Sequence, residues 1–436
     1  MIQKIIVAGG GTGGHLFPGV AIVEELRRRT PGIDPVFVGT RRGIEARVIP
    51  AMGETLELID VAPLKGLRAK QIAESLALLP KAMSQAVSIV RRVRPQLVLG
   101  VGGYASGPVL AAAAAMRIPT ALLEPNAHIG LTNKLLSNMV GRAYVAHQHM
   151  LRSFGEKRAR LLGTPVRRAF VDASRLAQMD PEGFEARARR VLVLGGSQGA
   201  RSLNVLVPEA LAKSHVAERG IEIVHQAGAA MVAEVQARYA QLGVSATVVP
   251  FIEDMARAYS SSSVVISRAG AATVAELSAI GRAAILIPFP QATDDHQTKN
   301  AEALMQEGAA LMMKESAFSV DELAYQVQEL VADPYRRAQM AMAARRVGHP
   351  EAAAAIVDDL CAWLGCAASG ASDNTDGSAS GSRSGRTSEP PLSSRPRSVP
   401  PPAGFARAKE ATRRRNPRVR GGRFPSVRPL PIASNG

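Results

Sequence analysis

Residues 264–300 read VVISRAGAATVAELSAIGRAAILIPFPQATDDHQTKN, and this stretch decides the fold. It begins with a short β-branched run, Val264 to Ile266, which is typical of a buried parallel strand. A turn of small residues, Ser267 to Gly270, leads into a helix, and a second apolar strand follows from Ala284 to Ile287. The pattern predicts a βαβ unit that ends in a polar loop from Gln291 to Asn300.

The start of this helix is suited to binding phosphate. Residues 270–273 are small, so backbone N–H groups can approach a ligand closely, and the helix dipole favours an anion there. Glu276 lies about a turn and a half further along, where a carboxylate can accept hydrogen bonds from two ribose hydroxyls. A nucleotide diphosphate is therefore the expected ligand, and an ordinary βαβ unit with a surface loop is the alternative.

The composition allows two domains. The 436 residues are 46% hydrophobic, which is enough for two separate cores. The formal charge is +16, but residues 367–436 hold 13 Lys or Arg against 4 Asp or Glu, a net +9 that leaves +7 for the rest. Aromatic residues are only 4% of the chain. We therefore do not expect the folded part to bind nucleic acid.

The cysteines and the N-terminal sequence indicate the cellular compartment in which the chain is expected to act. Cys361 and Cys366 lack metal-ligand partners in the sequence and are expected to be reduced thiols in a cytosolic protein. No signal-peptide pattern precedes the first strand. The longest apolar run, Val109 to Met116, is far shorter than the roughly 20 residues of a membrane span, so any membrane contact is expected to be peripheral. Residues 367–436 are predicted to be a disordered basic tail.

The first half of the chain opens with a second βαβ pattern. Strand Lys4–Ala8 runs into the glycine turn GGGTGGHLFPG at residues 9–19. Its glycines match the dinucleotide fingerprint, but Arg41 and Arg42 stand where NAD enzymes have an acidic residue. An NADP-dependent oxidoreductase is therefore one alternative function. His15 directly follows the glycines, so its imidazole is expected to point into whatever the turn holds.

Further polar turns follow apolar strands along the chain. They are GGYASGP (102–108), EPNAHIGLTN (124–133) and GGSQGARSLN (195–204), and GTPVR (163–167) has the composition of a hinge. Polar residues at the carboxyl ends of parallel strands line a common crevice. The sequence therefore predicts an α/β protein with two Rossmann-like domains, residues 1–163 and 164–366, that face each other across a cleft.

Residues 65–94 have a basic amphipathic helical pattern. Leu76, Leu79 and Met83 recur at helical spacing among Lys and Arg residues, and Pro80 is expected to break the helix. A stripe that faces the core accounts for most of these residues. Contact of an exposed part with anionic lipid is the alternative.

Seven of these motifs, in order and at matching spacing, resemble the MurG family of peptidoglycan glycosyltransferases over about residues 1–360. They are GGGTGGHLFPG, GGYASGP, EPNAHIGLTN, GTPVR, GGSQGARSLN, SRAGAATVAE and PFPQATDDHQTKNA. The resemblance implies the glycosyltransferase B fold and an inverting transfer of GlcNAc from UDP-GlcNAc to the C4 hydroxyl of MurNAc in the lipid-linked pentapeptide, lipid I. The product is lipid II, and no metal or other cofactor takes part.

The same resemblance implies a setting for this reaction. The chain is expected at the cytoplasmic face of the inner membrane, as a peripheral protein on an anionic lipid surface. Cell-wall biogenesis, cell shape and cell division are the implied processes. Other proteins of cell-wall synthesis and division are further candidate partners.

The resemblance also assigns roles to particular residues. The reacting centre and the donor sugar are bordered by Thr12, Gly13, Gly14, His15, Asn126 and Gln297. The nucleotide is held by Arg167 and Ser197 at the diphosphate, the backbone of Ile252 at uracil, Gly270, Ala271, Ala272 and Thr273 at phosphate, and Glu276 at the ribose. His15 is the candidate general base, because an imidazole pKa suits proton transfer near neutral pH. A non-catalytic scaffold on a degenerate transferase fold is a second alternative, which intact His15, Glu276 and Gln297 argue against.

Overall fold

A computed structural model of the chain describes residues 2–62, 75, 77–196, 199–292, 295–317 and 319–366. Ser197 and the predicted tail at 367–436 lie outside the described residues. The described part contains two parallel β-sheets, each covered by helices on both faces. The predicted α/β architecture is therefore confirmed.

The first sheet has seven parallel strands in the order β3-β2-β1-β4-β5-β6-β7. The strands are β1 Lys4–Ala8, β2 Asp34–Gly39, β3 Thr55–Leu58, β4 Leu97–Gly100, β5 Thr120–Glu124, β6 Arg142–Val145 and β7 Ala159–Leu161. The helices are α1 Gly13–Arg29, α2 Glu45–Ala51, α3 Leu79–Val93, α4 Ser106–Ala115, α5 Leu131–Leu136 and α6 Leu151–Phe154.

The second sheet has six parallel strands in the order β10-β9-β8-β11-β12-β13. The strands are β8 Arg190–Leu194, β9 Glu222–Gln226, β10 Thr247–Val249, β11 Val264–Ser267, β12 Ala283–Leu286 and β13 Leu311–Met312. The helices are α7 Arg168–Met179, α8 Pro181–Ala186, α9 Arg201–Lys213, α10 Val232–Gln241, α11 Met255–Ser260, α12 Ala271–Ile280, α13 His296–Gln306, α14 Val320–Ala332, α15 Pro334–Val347 and α16 Ala352–Leu364.

Both sheets reverse their strand order next to a glycine-rich turn. In the first sheet β1 lies between β2 and β4, and in the second β8 lies between β9 and β11. Glycine-rich residues follow both strands, at 9–12 after β1 and at 195, 196 and 199 after β8. A reversal of strand order opens a crevice at the carboxyl ends of the strands. The two glycine turns therefore lie at the two positions where this fold binds ligands.

The last described helix, α16, returns to the first sheet. Ile356, Val357 and Leu360 are buried in the core of the first domain. The Asp359 carboxylate accepts hydrogen bonds from the Tyr144 hydroxyl at 2.8 Å and from Arg142 Nε at 3.1 Å. By sequence position α16 belongs to the predicted second domain, 164–366, but its apolar face packs on the first one.

Two local predictions differ from the structure, and a third concerns Pro80. The predicted loop from Gln291 to Asn300 is shorter than expected. Helix α13 begins at His296 and includes the second half of that stretch. Helix α1 begins at Gly13 and continues through Pro18, so His15 lies in its first turn. Pro80 is in the first turn of α3, where a missing N–H costs no hydrogen bond, so a helix boundary does fall at Pro80, and most of the predicted helical pattern before it lies outside the described residues. In α1 the buried residues Leu16 and Val20 favour the helix against the low helix propensity of glycine and proline, whereas in α13 Gln297 and Lys299 are themselves good helix formers.

Candidate active site

A cleft of about 1210 Å³ is lined by residues of both domains at the carboxyl ends of their strands. Every predicted site residue that the structure describes lines this cleft. These are Thr12, Gly13, Gly14, His15, Asn126, Arg167, Ile252, Gly270, Ala271, Ala272, Thr273, Glu276 and Gln297. Ser197 lies outside the described residues, but its neighbours Gly196 and Gly199 line the same cleft.

The N-terminus of α12 opens into this cleft without a capping side chain. Gly270 occupies the cap position, and among the described residues this helix end has no side-chain cap hydrogen bond. A Cβ at Gly270 would find its nearest heavy atom, Thr273 Oγ1, at 3.9 Å, so the approach to the helix end is open. Uncapped N–H groups and the helix dipole together favour an anion at this point.

Glu276 lies one turn and a half further along α12 and is buried. Arg167 Nη2 donates to its Oε1 at 3.4 Å, and the Tyr259 hydroxyl also hydrogen-bonds to the carboxylate. Burial raises the pKa of Glu276 to about 7, against the opposing effects of Arg167 and Tyr259. The carboxyl group is therefore poised between its two protonation states near neutral pH.

Arg167 joins the two sides of the cleft. Its guanidinium stacks on the ring of Phe17, a first-domain residue, at 4.3 Å and on the ring of Phe170 at 5.1 Å. Its Nε is buried and makes no hydrogen bond to any described residue. A buried donor without a protein partner is costly to leave unpaired, which favours an anionic ligand beside it.

His15 borders the cleft from the first turn of α1. Its Nδ1 lies 3.3 Å from Thr12 Oγ1, and its ring also hydrogen-bonds to the backbone of Gly10. Burial is the largest effect on the imidazole and lowers its pKa, and nearby His296 lowers it further. The ring is therefore neutral at neutral pH and can accept a proton.

Asn126 is held by a buried carboxylate that the sequence analysis did not single out. Glu124 Oε1 accepts from the backbone N and the side-chain Nδ2 of Asn126, both at 3.3 Å. Its Oε2 accepts from Gly130 N at 2.9 Å and from Asn133 Nδ2 at 3.0 Å. Burial raises the pKa of Glu124. This single side chain sets the shape of the turn that presents Asn126 to the cleft.

On the opposite side of the cleft, α13 contributes Gln297 to the lining and carries the buried Asn300 behind it. Gln297 Oε1 accepts from Phe289 N at 3.0 Å, which ties the helix to the turn after β12. Asn300 is buried, accepts from Ala127 N at 3.3 Å and donates to Ala269 O at 3.1 Å. Asn300 thus links the turn that carries Asn126 to the turn that precedes α12.

Arg268 is another cleft residue without a predicted role. It pairs with Glu315 at 2.5 Å and donates to Ser202 Oγ at 2.7 Å. It therefore braces the start of α9 against the turn before α12. Among the described residues no group of three or more His, Cys, Asp or Glu side chains is arranged to hold a metal ion.

Two facing Rossmann-like domains, with an uncapped helix N-terminus and a carboxylate on one wall of the cleft and a histidine on the other, fit a glycosyltransferase of the two-domain type. Models of the glycosyltransferase family 28 N-terminal and C-terminal domains match residues 5–145 and 190–356. The chain belongs to glycosyltransferase family 28, within its MurG group. The family predicted from the motifs is therefore confirmed.

Individual relatives resemble nearly the whole described part. A UDP-N-acetylglucosamine–N-acetylmuramyl-(pentapeptide) pyrophosphoryl-undecaprenol N-acetylglucosamine transferase of Anaeromyxobacter dehalogenans is 46% identical over 82% of this chain and 92% of its own length. The protein of the same name from Myxococcus xanthus is 45% identical over 82% and 92%. The crystal structure of Acinetobacter baumannii MurG has a TM-score of 0.61 and 31% identity, covering 82% of this chain and 98% of that one.

Proposed function

We propose that this chain transfers N-acetylglucosamine from UDP-GlcNAc to the lipid-linked MurNAc-pentapeptide, lipid I, and so makes lipid II for peptidoglycan. The relatives reported above are named for this reaction. The observation that carries the proposal is the wall formed by α12, whose uncapped N-terminus and buried Glu276 lie in one cleft with His15. The helix N-terminus and Glu276 can bind a nucleotide diphosphate, and His15 can take the proton of an acceptor hydroxyl.

The donor nucleotide is proposed to lie along α12. Its diphosphate meets the N–H groups of residues 271–273, and its ribose hydroxyls donate to Glu276. Uracil lies against Ile252, which is half-buried at the cleft wall and can bind the base through its backbone. Asn126 and Gln297, from opposite domains, border the sugar.

Departure of UDP develops negative charge on the β-phosphate. The N–H groups of α12 are already oriented toward this charge. The buried Nε of Arg167, which has no described partner, offers a further donor to it. Preorganised donors of this kind stabilise a leaving group without rearrangement during the reaction. We propose that they serve here in place of a metal ion.

The acceptor hydroxyl must lose a proton as it attacks the donor sugar. Neutral His15 is the proposed base, held by Thr12 and Gly10 at the edge of the cleft. The attack comes from the first domain while UDP is held by the second. An attack on the face opposite the leaving group inverts the anomeric centre.

We further propose that the first domain binds the anionic cytoplasmic surface of the inner membrane as a peripheral protein. No described helix is long and apolar enough to cross a bilayer. Helix α4 packs between α3 and α5, and this region exposes large apolar side chains. They are Leu78, Met83, Met116, Leu135 and Met139. Leu135 also lines the cleft, so this apolar surface reaches the site where a lipid-linked acceptor must enter.

Product analysis tests the proposed reaction. The chain is incubated with UDP-GlcNAc and a soluble lipid I analogue, and the product is examined by NMR for its linkage and anomeric configuration. The expected product carries a β-linked GlcNAc on the C4 hydroxyl of MurNAc. An α-linked product contradicts the inverting mechanism. Protection of the cleft by NADPH and not by UDP-GlcNAc favours an oxidoreductase instead.

A further inference from the structure

Glu45 is a buried carboxylate beside the first glycine turn, and only 1% of its surface is exposed. It is the first residue of α2. Its Oε2 accepts from Gly11 N at 2.7 Å. Its Oε1 accepts from Thr40 N at 2.9 Å and from Thr40 Oγ1 at 3.1 Å. One side chain thus joins the turn after β1 to the end of β2.

Three glycines leave the space that this carboxylate occupies. A Cβ at Gly10 would lie 2.4 Å from Glu45 Cδ, one at Gly39 would lie 2.3 Å from its Cγ, and one at Gly43 would lie 2.1 Å from its Oε1. Any larger residue at these positions would collide with Glu45. Gly10, Gly39 and Gly43 therefore accommodate an acid from the chain itself beside the first glycine turn.

The same turn holds His15. The backbone of Gly10 hydrogen-bonds to the imidazole, Thr12 Oγ1 lies 3.3 Å from its Nδ1, and Gly102 is packed against its other edge. Two titratable groups act on the ring electrostatically: Glu45 from α2 raises its pKa and His296 from α13 lowers it. Glu45 is therefore the acid that acts on this histidine, and it also fixes the backbone to which the histidine is bound.

We propose that Glu45 is a positioning residue for the transfer reaction, because it holds the glycine turn 9–11 through Gly11 and Thr40 and thereby sets the position of the His15 imidazole. The proposal rests on the proposed function in one respect, that His15 acts on the acceptor hydroxyl. Glu45 itself does not reach the substrate, since its oxygens are bound to the turn and to Thr40. It also occupies the Gly11 N–H, which in dinucleotide enzymes would face a pyrophosphate.

Glu45→Gln is the first test, since it keeps the shape of the side chain and removes its charge. An amide has only one acceptor oxygen for donors on two sides, so the turn loosens. We expect kcat to fall by about 10- to 100-fold through misplacement of the base, with KM for UDP-GlcNAc changed less than about twofold. The acid limb of the kcat–pH profile should move to lower pH, because the imidazole loses a neighbouring negative charge.

Glu45→Asp separates the effect of the negative charge from the effect of side-chain length. It keeps the negative charge but cannot span Gly11 and Thr40 together, so kcat should fall while the His15 titration stays near that of the parent. The ring titration is followed by NMR, with the His15 signal assigned by its loss in His15→Ala. Glu57→Gln is the control, because Glu57 lies on β3, pairs with Arg92 and does not line the cleft.

The outcomes are distinguishable. An unchanged His15 titration in Glu45→Gln overturns the proposal, even if activity falls, since a merely structural role lowers activity without touching that titration. Unchanged kcat in both variants also overturns it. Should Glu45→Gln fail to fold, the proposal still requires Glu45→Asp to lose kcat at constant KM. If the parent transfers no GlcNAc, the proposed function fails, while the NMR titration still tests the coupling of Glu45 to His15.

Discussion

At the scale of single residues, the proposed contact of Glu276 with the donor ribose makes donor binding depend on pH. Its pKa is raised to about 7 because burial outweighs the partners that stabilise the charge. The carboxyl group is therefore protonated below this pH and ionised above it, and only the ionised form offers both oxygens as charged acceptors to the two ribose hydroxyls, because protonation turns one oxygen into a donor.

We predict that UDP-GlcNAc binds about tenfold more weakly at pH 6 than at pH 8, as the ionised fraction of a group with a pKa near 7 requires. Calorimetry at the two pH values measures the difference. UDP-GlcNAc is the suitable ligand, since its diphosphate has no proton to lose in this range. Glu276→Gln should remove the pH dependence. Equal affinities of the parent at both pH values would contradict the assignment.

Replacement of Glu276 by Ala removes a charge-assisted hydrogen bond worth about 1.5–3 kcal/mol. The loss should appear mainly as a higher KM for the donor, with the fold intact by circular dichroism. Binding of UDP as tight as in the parent would show that the ribose does not contact this carboxylate.

His15 should affect the chemical step and not donor binding. General-base catalysis is worth about 10²–10⁴-fold, so His15→Ala should lower kcat by that order and leave UDP affinity nearly unchanged. Steady-state kinetics together with UDP binding measure the two effects separately. A change confined to the donor KM would instead make His15 a residue that positions the donor.

At the scale of elements, the structure corrects which residues of α3 face solvent. Ala82, Ala86, Ile89 and Val90 are buried, so the helix does present a stripe to the core. Of the predicted stripe, Met83 is exposed, Leu79 is half-buried and Leu76 lies outside the described residues. The exposed apolar surface instead continues onto α5 through Leu135, which is 67% exposed.

We predict that a chain ending at Gly365 binds anionic vesicles and binds less as salt screens the exposed charges. Most of this binding should disappear in the double variant Met83→Glu with Leu135→Glu. Tyr335→Glu with Met342→Glu is the matched control, because these exposed apolar residues lie on α15 in the second domain. Should the shortened chain ignore vesicles that the peptide 367–436 binds, the membrane contact belongs to that segment.

The strands and the glycine-rich turns were predictable because their signals are local. Apolar β-branched runs such as Val264 to Ile266 and glycines after a strand identify them without knowledge of the fold. Glu45 and Glu124 were not predictable, since their roles depend on Thr40 and Gly130, whose N–H groups meet them only after folding. The helical start of α13 was also missed, because polar residues before Gln297 resemble a loop.

At the scale of the whole molecule, the site exists only where the two domains meet. Arg168 N donates to Glu24 Oε2 at 2.8 Å, Arg47 stacks on Phe251 at 4.7 Å, and Asn300 bridges two turns across the cleft. These contacts join residues far apart in the chain, so no sequence window contains them. The return of α16 to the first domain was missed for the same reason.

The central claim is that this cleft transfers GlcNAc to a lipid-linked acceptor with protein groups alone. Transfer of radiolabelled GlcNAc from UDP-GlcNAc to a lipid I analogue, with and without excess EDTA, tests it most directly. We predict labelled lipid II analogue at the same rate in both samples, with loss of product in His15→Ala. Absence of labelled product from the parent, or product that forms only when EDTA is left out, would contradict the account.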